Sequence, residues 1–355
     1  MKKKIFLICL VIAALLVGLV GCGSGTGGSA GGDSANNGSA GGDPAKFDIT
    51  KVAEKDLKAA VLIPSSPTDG GWGQVGAEGM KYAAKELGIE PVIIEAGTAD
   101  LMKSEAEALA AEGFHVVFGH GGQYAAPFDE IAADYPDTLF ITMGGNVIKD
   151  NLMPMDFKNE EPHYIQGVLA AHITKTNKLG VVIGGEYPAY TKTSRAFEMG
   201  AKTVNPDIEV MVGVTQDASD MNEGYELAMA QIRAGADIIM ANANQAGQGS
   251  INACKETNTY IFGSISDIAP EAPDQAISTG FTEYGAAKLS AIRMYLAGDL
   301  EPGIIPIGFP EGGIGWTWNE KVKAKLPADV VALYQETLDK ILSGEIDVPG
   351  EREGW

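Results

Sequence analysis

The strongest constraint on the fold is a pair of successive ladders of short, mostly apolar runs. Ala59 to Ile63, Pro91 to Glu95, His115 to Phe118 and Thr138 to Thr142 make the first ladder. Lys178 to Gly184, Ile208 to Val214, Asp237 to Met240 and Thr259 to Phe262 make the second. Apolar runs that do not alternate with polar residues predict strands buried on both faces, as in a parallel sheet covered by helices. Gly76 to Leu87, Asp100 to Ala111 and Asn222 to Ala234 place small and apolar residues three and four apart, which predicts the covering helices. The chain therefore reads as an α/β protein of two doubly wound, Rossmann-like lobes. Asp150 to Glu161 has few helical signals and is expected to cross between them. Phe281 to Ala297 reads as a further helix and Ile304 to Phe309 as a returning strand. The expected extents are 55–160 plus part of 281–310 for the N-terminal lobe, and 161–280 plus part of 305–345 for the C-terminal lobe. Several crossings make a hinge, with a cleft between the lobes.

The segment before the first ladder has a different character. Met1 to Lys4 is basic, Ile5 to Val20 is apolar, and Gly21 and Cys22 follow. These are the parts of an export signal, and the apolar run is shorter than the ~20 residues that span a bilayer comfortably. Leu19-Val-Gly-Cys22 resembles the bacterial lipoprotein signal, so residues 1–21 are expected to be removed and Cys22 lipidated. Residues 22–43 are rich in glycine and serine, with no large apolar side chain to bury, and are expected to form a disordered tether with a reach of about 25 Å. Removing the signal takes away three lysines and no acid, so the formal charge of −21 becomes −24. Such a surface disfavours nucleic acid and anionic headgroups, leaving the lipid as the expected contact with the membrane. Cys9 leaves with the signal and Cys22 serves the anchor, so only Cys254 remains and no intramolecular disulfide is expected.

In an open α/β sheet, ligands gather beyond the carboxyl ends of the strands. The loops expected there are rich in glycine, amides, carboxylates and aromatics. Gly71, Gly73 and Gly76 match the spacing of a dinucleotide turn. That turn should start directly at the strand end, but Ser65 to Gly70 intervene, and Trp72 and Gln74 crowd a backbone that must approach a pyrophosphate. No G-x-S-x-G elbow occurs in the body, and His115, His120, His163 and His172 lack metal-ligand spacing. No catalysis, metal or cofactor is expected. Recognition fits better: Asp69 accepts hydrogen bonds, Gln74, Gln123, Asn242 and Asn244 donate and accept, and Trp72, Tyr124, Tyr187, Tyr190 and Phe281 can stack on a flat ligand. His120 and Asp267 lie on the same set of loops. The body has four arginines, of which only Arg195 falls near these loops, so a neutral, planar ligand is favoured over an anion.

These features together resemble a lipid-anchored substrate-binding protein of an ABC transporter with the type I periplasmic-binding-protein fold. More narrowly, Asp69-Gly-Gly-Trp-Gly-Gln74 is similar to the signature of the basic membrane protein family, which includes purine nucleoside receptors. Phe157-Lys-Asn-Glu-Glu161, Gln166-Gly-Val-Leu-Ala-Ala171, Lys178-Leu-Gly-Val-Val-Ile-Gly-Gly185 and Val204-Asn-Pro-Asp207 match in order, over roughly residues 57 to 345. The resemblance implies a purine nucleoside or base in the cleft, Trp72 and Phe281 as the stacking aromatics, Asp69 and Gln74 as polar contacts, an ABC permease as partner, and a lipid-anchored location on the extracytoplasmic side of the cell membrane. Two positions depart from the family. Gly263-Ser-Ile-Ser-Asp-Ile268 has Ile265 where many members have the first of two aspartates, Asp267 remaining, and a lysine carried by several nucleoside binders is missing near Ser278 to Phe281. The departures point toward a free base or another flat solute. A sugar-binding protein of the same fold, or a sensory lipoprotein that signals to a membrane receptor, are the alternatives.

Overall fold

The computed structural model describes residues 53–69 and 71–350. The expected signal, lipidation site Cys22 and tether lie outside these residues. The first half of the chain runs β1 (Ala59–Ile63), α1 (Trp72–Leu87), β2 (Val92–Glu95), α2 (Ala99–Ala111), β3 (Val116–Gly119), α3 (Ala125–Asp129), β4 (Leu139–Met143) and β5 (Leu152–Phe157). The second runs α4 (Glu160–Ile173), β6 (Lys178–Ile183), α5 (Pro188–Val204), β7 (Glu209–Val214), α6 (Met221–Arg233), β8 (Ile238–Asn242), α7 (Asn244–Thr257), β9 (Tyr260–Ser264) and β10 (Ala276–Thr282). Then come α8 (Tyr284–Ala297), β11 (Ile305–Ile307), β12 (Ile314–Trp318), α9 (Glu320–Lys323) and α10 (Ala328–Leu342).

Two six-stranded sheets result, with orders β11-β5-β4-β3-β1-β2 and β12-β10-β9-β8-β6-β7. Every pairing is parallel except β10 with β12. The two orders are equivalent, so each lobe has one switch point, between β1 and β3 in the first and between β6 and β8 in the second. The strands carry the core: every residue of β1, β3, β4 and β8 is buried. The chain passes between the lobes three times, after β5, after β10 and after β11, because α8 packs against α1 and the first sheet while β10 and β12 belong to the second.

Three sequence expectations are corrected. Asp150 to Glu161 is not only a crossing, since it contains β5, a full member of the first sheet. Pro154 hides this strand, because proline removes a ladder donor. Here β11 reaches only Met155 to Phe157, so the missing N–H of Pro154 falls where no partner waits for it. Phe281 does not start a helix. It lies in β10, paired with Gly315, and α8 begins at Tyr284. Trp72 and Gln74, expected on a loop, form the first turn of α1.

Candidate functional site

The start of α1 explains why the helix begins so early. The Asp69 carboxylate accepts hydrogen bonds from the N–H groups of Gly71 (2.7 Å), Gly73 (3.2 Å) and Gln74 (3.0 Å), and from Ser65 Oγ (2.6 Å). Helix starts leave several N–H groups without partners, and one carboxylate satisfies three of them. These bonds hold the Asp69 pKa down to about 2, the Ser65 hydroxyl contributing most. Gly73 is required here, since a Cβ would sit 2.6 Å from the Ser65 and Ser66 carbonyl oxygens.

The cap delivers Trp72 to the space between the lobes. One face of its indole stacks on His120, with centroids 3.9 Å apart and planes at 22°. Trp72 Nε1 donates to the His120 carbonyl at 2.9 Å, and Tyr284 meets the ring edge-on at 5.2 Å. The side chain is nonetheless 39% exposed, and that surface borders a cavity of about 980 Å³. His120 itself is fully buried and its Nδ1 lies 3.0 Å from Met143 Sδ. Burial, with help from Lys288, pushes its pKa down to about 2, so the ring is neutral. Lys288 is also fully buried, with Nζ 3.4 Å from the same sulfur. Burial pushes its pKa down to about 7.

The opposite wall comes from the second lobe. Tyr190 at the start of α5, Asn242 and Asn244 around the end of β8, Ser264 at the end of β9, and Ile265 and Ser266 just after it all line the cavity. These positions cluster at the carboxyl ends of β6, β8 and β9, those of β6 and β8 flanking the switch point, the expected place for a ligand. Phe281 and Thr282 at the end of β10 complete this side. Gly315 opposite Phe281 makes room for it, since a Cβ there would meet the ring. Glu78, Tyr82 and Glu283 line the rim, and among the described residues no lysine or arginine does. Ile265 has φ of 74° and is 55% exposed. A β-branched residue rarely adopts this conformation.

The cavity floor is formed by the crossings. Thr282 Oγ1, just before the second, donates to Asn159 Oδ1 in the first at 2.8 Å. His163, buried on α4, places Nδ1 2.5 Å from the Asn159 carbonyl oxygen and Nε2 2.5 Å from Ser264 Oγ. Burial pushes its pKa down to about 4. The third crossing is tied to the first where Phe309 N donates to Glu161 Oε2 at 2.8 Å. Burial raises the Glu161 pKa to about 7.

Of the residues singled out in the sequence, the cavity gathers Trp72, Tyr190, Asn242, Asn244 and Phe281. His120 supports Trp72 from behind. Asp69 is turned to the α1 backbone instead of the cavity, and Gln74 Nε2 donates to Glu78 at 2.7 Å. Tyr124 is buried in the first lobe, its hydroxyl donating to the Ala96 carbonyl at 3.0 Å. Gln123 packs over Gly121. Tyr187 is 68% exposed and lies beside Gly184 and Gly185 in a separate depression. Asp267 accepts from Ala269 N at 2.9 Å, closing a turn. The sequence reading missed Glu78, His163, Ser264 and Tyr284. His163 and Ser264 are 101 residues apart, so no local spacing signals their pairing.

Two doubly wound lobes joined by three crossings, with a cavity between them, define the type I periplasmic-binding-protein fold. The fold is shared with a crystallised ABC transporter solute-binding protein from Aeropyrum pernix K1, at a TM-score of 0.62 and 22% identity, with 84% of this chain and 95% of that one covered. The chain belongs to the Bmp family, the PnrA-like substrate-binding proteins of ABC transporters, whose model matches residues 56–352. It is similar to basic membrane protein A1 of Borrelia garinii subsp. bavariensis, 26% identical over 306 residues that cover 84% of this chain and 90% of the relative. It is also similar to a purine-binding protein of Brucella abortus, 27% identical over 299 residues that cover 83% of each.

Proposed function

We propose that this substrate-binding protein captures a purine nucleoside or a related nucleobase between its lobes, closes around it and presents the closed form to the permease of an ABC importer. The observation that carries the reading is the Trp72 indole, held rigidly on His120 while its exposed surface borders the cavity. A fixed aromatic plate loses little freedom when a flat base stacks on it, and such stacking is worth about 1–3 kcal/mol per base. Phe281 on the opposite wall is positioned to be the second plate. The absence of lysine and arginine from the described lining favours a neutral heterocycle over a phosphorylated one. The purine-binding relative points to the same ligand class.

Closure follows from ligand contacts that exist only when both walls are engaged. The three crossings are the elements that bend. In the same reading residues 1–21 are cleaved on export, Cys22 carries the lipid and residues 22–43 tether the body to the outer side of the cell membrane. The ligand-binding contacts are Trp72, Tyr190, Asn242, Asn244 and Phe281. Mass spectrometry of small molecules released from the denatured, purified protein tests the ligand class directly, and a purine is the expected finding. Added purine should quench tryptophan emission, and Trp72→Ala should weaken binding roughly 10- to 100-fold, the equivalent of the stacking term. Unchanged affinity in that variant refutes the stacking role.

A further inference from the structure

Building on the purine reading, we infer that Ser264 is a specificity-determining hydrogen-bond acceptor, committed to that role by His163, and that the preferred ligand is a 6-oxopurine that turns its ring N–H toward this wall.

The argument starts from a carbonyl. The Asn159 backbone oxygen can only accept, and it lies 2.5 Å from His163 Nδ1, so Nδ1 carries the hydrogen. The ring is buried at 2% exposure, and that burial favours its neutral form against the opposing pull of the Asn159 bond, so Nε2 keeps a lone pair. Ser264 Oγ is 2.5 Å from that lone pair and must donate its hydrogen to it. Once the hydroxyl proton is committed, Ser264 offers the cavity only lone pairs. His163 is thus a positioning residue that fixes the polarity of a hydroxyl it does not share with the ligand.

Asn242 reaches the same state by a different route. Its Nδ2 donates to the Ala189 carbonyl at 3.3 Å and to Thr193 Oγ1 at 3.0 Å, and the carbonyl fixes which way the amide faces. Its Oδ1 is the atom with capacity to spare. The two charged side chains on the lining, Glu78 and Glu283, are carboxylates and accept only. Two buried groups of the second lobe, Ser264 and Asn242, therefore turn acceptors to one stretch of the cavity wall, with the exposed carboxylates of Glu78 and Glu283 at its rim.

Purines differ in what they offer such a wall. A 6-oxopurine carries N–H at ring position 1, and guanine adds an adjacent amino group, so its edge donates. Adenine has a lone pair at position 1, which would face another lone pair. A buried polar wall left unpaired discriminates strongly between otherwise isosteric ligands.

The experiment is isothermal titration of the ligand-stripped protein with two matched pairs, hypoxanthine against adenine and inosine against adenosine. The oxo member should bind at least about tenfold more tightly in whichever pair binds. Ser264→Ala should shrink that ratio to within about threefold, and His163→Phe, which frees the hydroxyl to donate, should narrow it as well. An amino member that binds equally well or better overturns the inference while leaving the purine reading intact. A ratio unchanged by Ser264→Ala also overturns it. Binding of none of the four overturns both. If the variants fail to fold by circular dichroism, the wild-type ratios alone decide.

Discussion

Replacing Glu161 by glutamine should make the protein more stable at alkaline pH and leave it unchanged in acid. Glu161 lies in the first turn of α4, just after the first crossing, and accepts from Phe309 N in the third. It is 6% exposed. Burial raises its pKa from the ordinary 4.5 to about 7, against the partial relief given by the Phe309 bond and Lys158. An ionised carboxylate held there is disfavoured by about 3 kcal/mol relative to one in water. The sign follows from proton uptake. Above pH 7 the group is ionised in folded and unfolded chains alike, and the full penalty is present. Between pH 7 and 4.5 the folded chain binds the proton first, so the penalty fades as pH falls. Below 4.5 both states are protonated and it is gone. Glutamine keeps an oxygen to accept from Phe309 N and carries no charge. Urea unfolding followed by circular dichroism should therefore place Glu161→Gln up to about 3 kcal/mol above wild type at pH 8, with the gap closing toward pH 4.5. Equal stability at pH 8, or a gap that widens as the pH falls, refutes the burial argument.

Lys288→Met should also stabilise, with the opposite pH dependence. A lysine whose pKa falls from 10.5 to about 7 on burial disfavours the folded state most below pH 7, so the variant should gain about 3–5 kcal/mol at pH 6 and progressively less toward pH 10.5. A gain that grows with pH in urea titrations contradicts this. In α7, a Cβ on Gly249 would collide with the Met221 carbonyl oxygen, and one on Gly224 in α6 with that of Ala246. Gly249→Ala should therefore separate the two helices and cost about 1–3 kcal/mol of stability. Purine affinity of the folded variant should be unchanged, and a stability within error of wild type shows that the helices can move apart freely.

Much of the architecture is legible because burial is written locally. β1, β3, β4 and β8 are strands with no exposed residue, so their apolar runs stand out and their predicted limits shift by a residue or two at most. β5 and β10 were less legible, since Pro154 and the Ser278-Thr-Gly-Phe281 stretch carry little of that signal. Each also has one neighbour far away in sequence, β11 beside β5 and β12 beside β10, that no local pattern reveals. The site divides in the same way. Trp72, Tyr190 and Asn242 stand at strand ends that the ladder locates, so composition leads to them. Asp69 looked equally suited, but the Ser65 hydroxyl and the N–H groups at the start of α1 claim the carboxylate. The His163 and Ser264 pair is set by where α4 crosses the end of β9, which only the assembled second lobe determines.

The three crossings also govern how the chain can assemble as it emerges. The first sheet lacks its edge strand β11 and its covering helix α8 until residues beyond 284 are available, and the second lacks β12 until later still. Neither half is a finished unit in order of synthesis. Contacts between such distant parts of a chain form slowly, so the N-terminal half should linger with apolar surface uncovered until the C-terminal segments arrive. A chain cut between β10 and α8 should leave two incomplete fragments that aggregate when expressed separately, where a protein with one connection between its lobes would yield two independent domains.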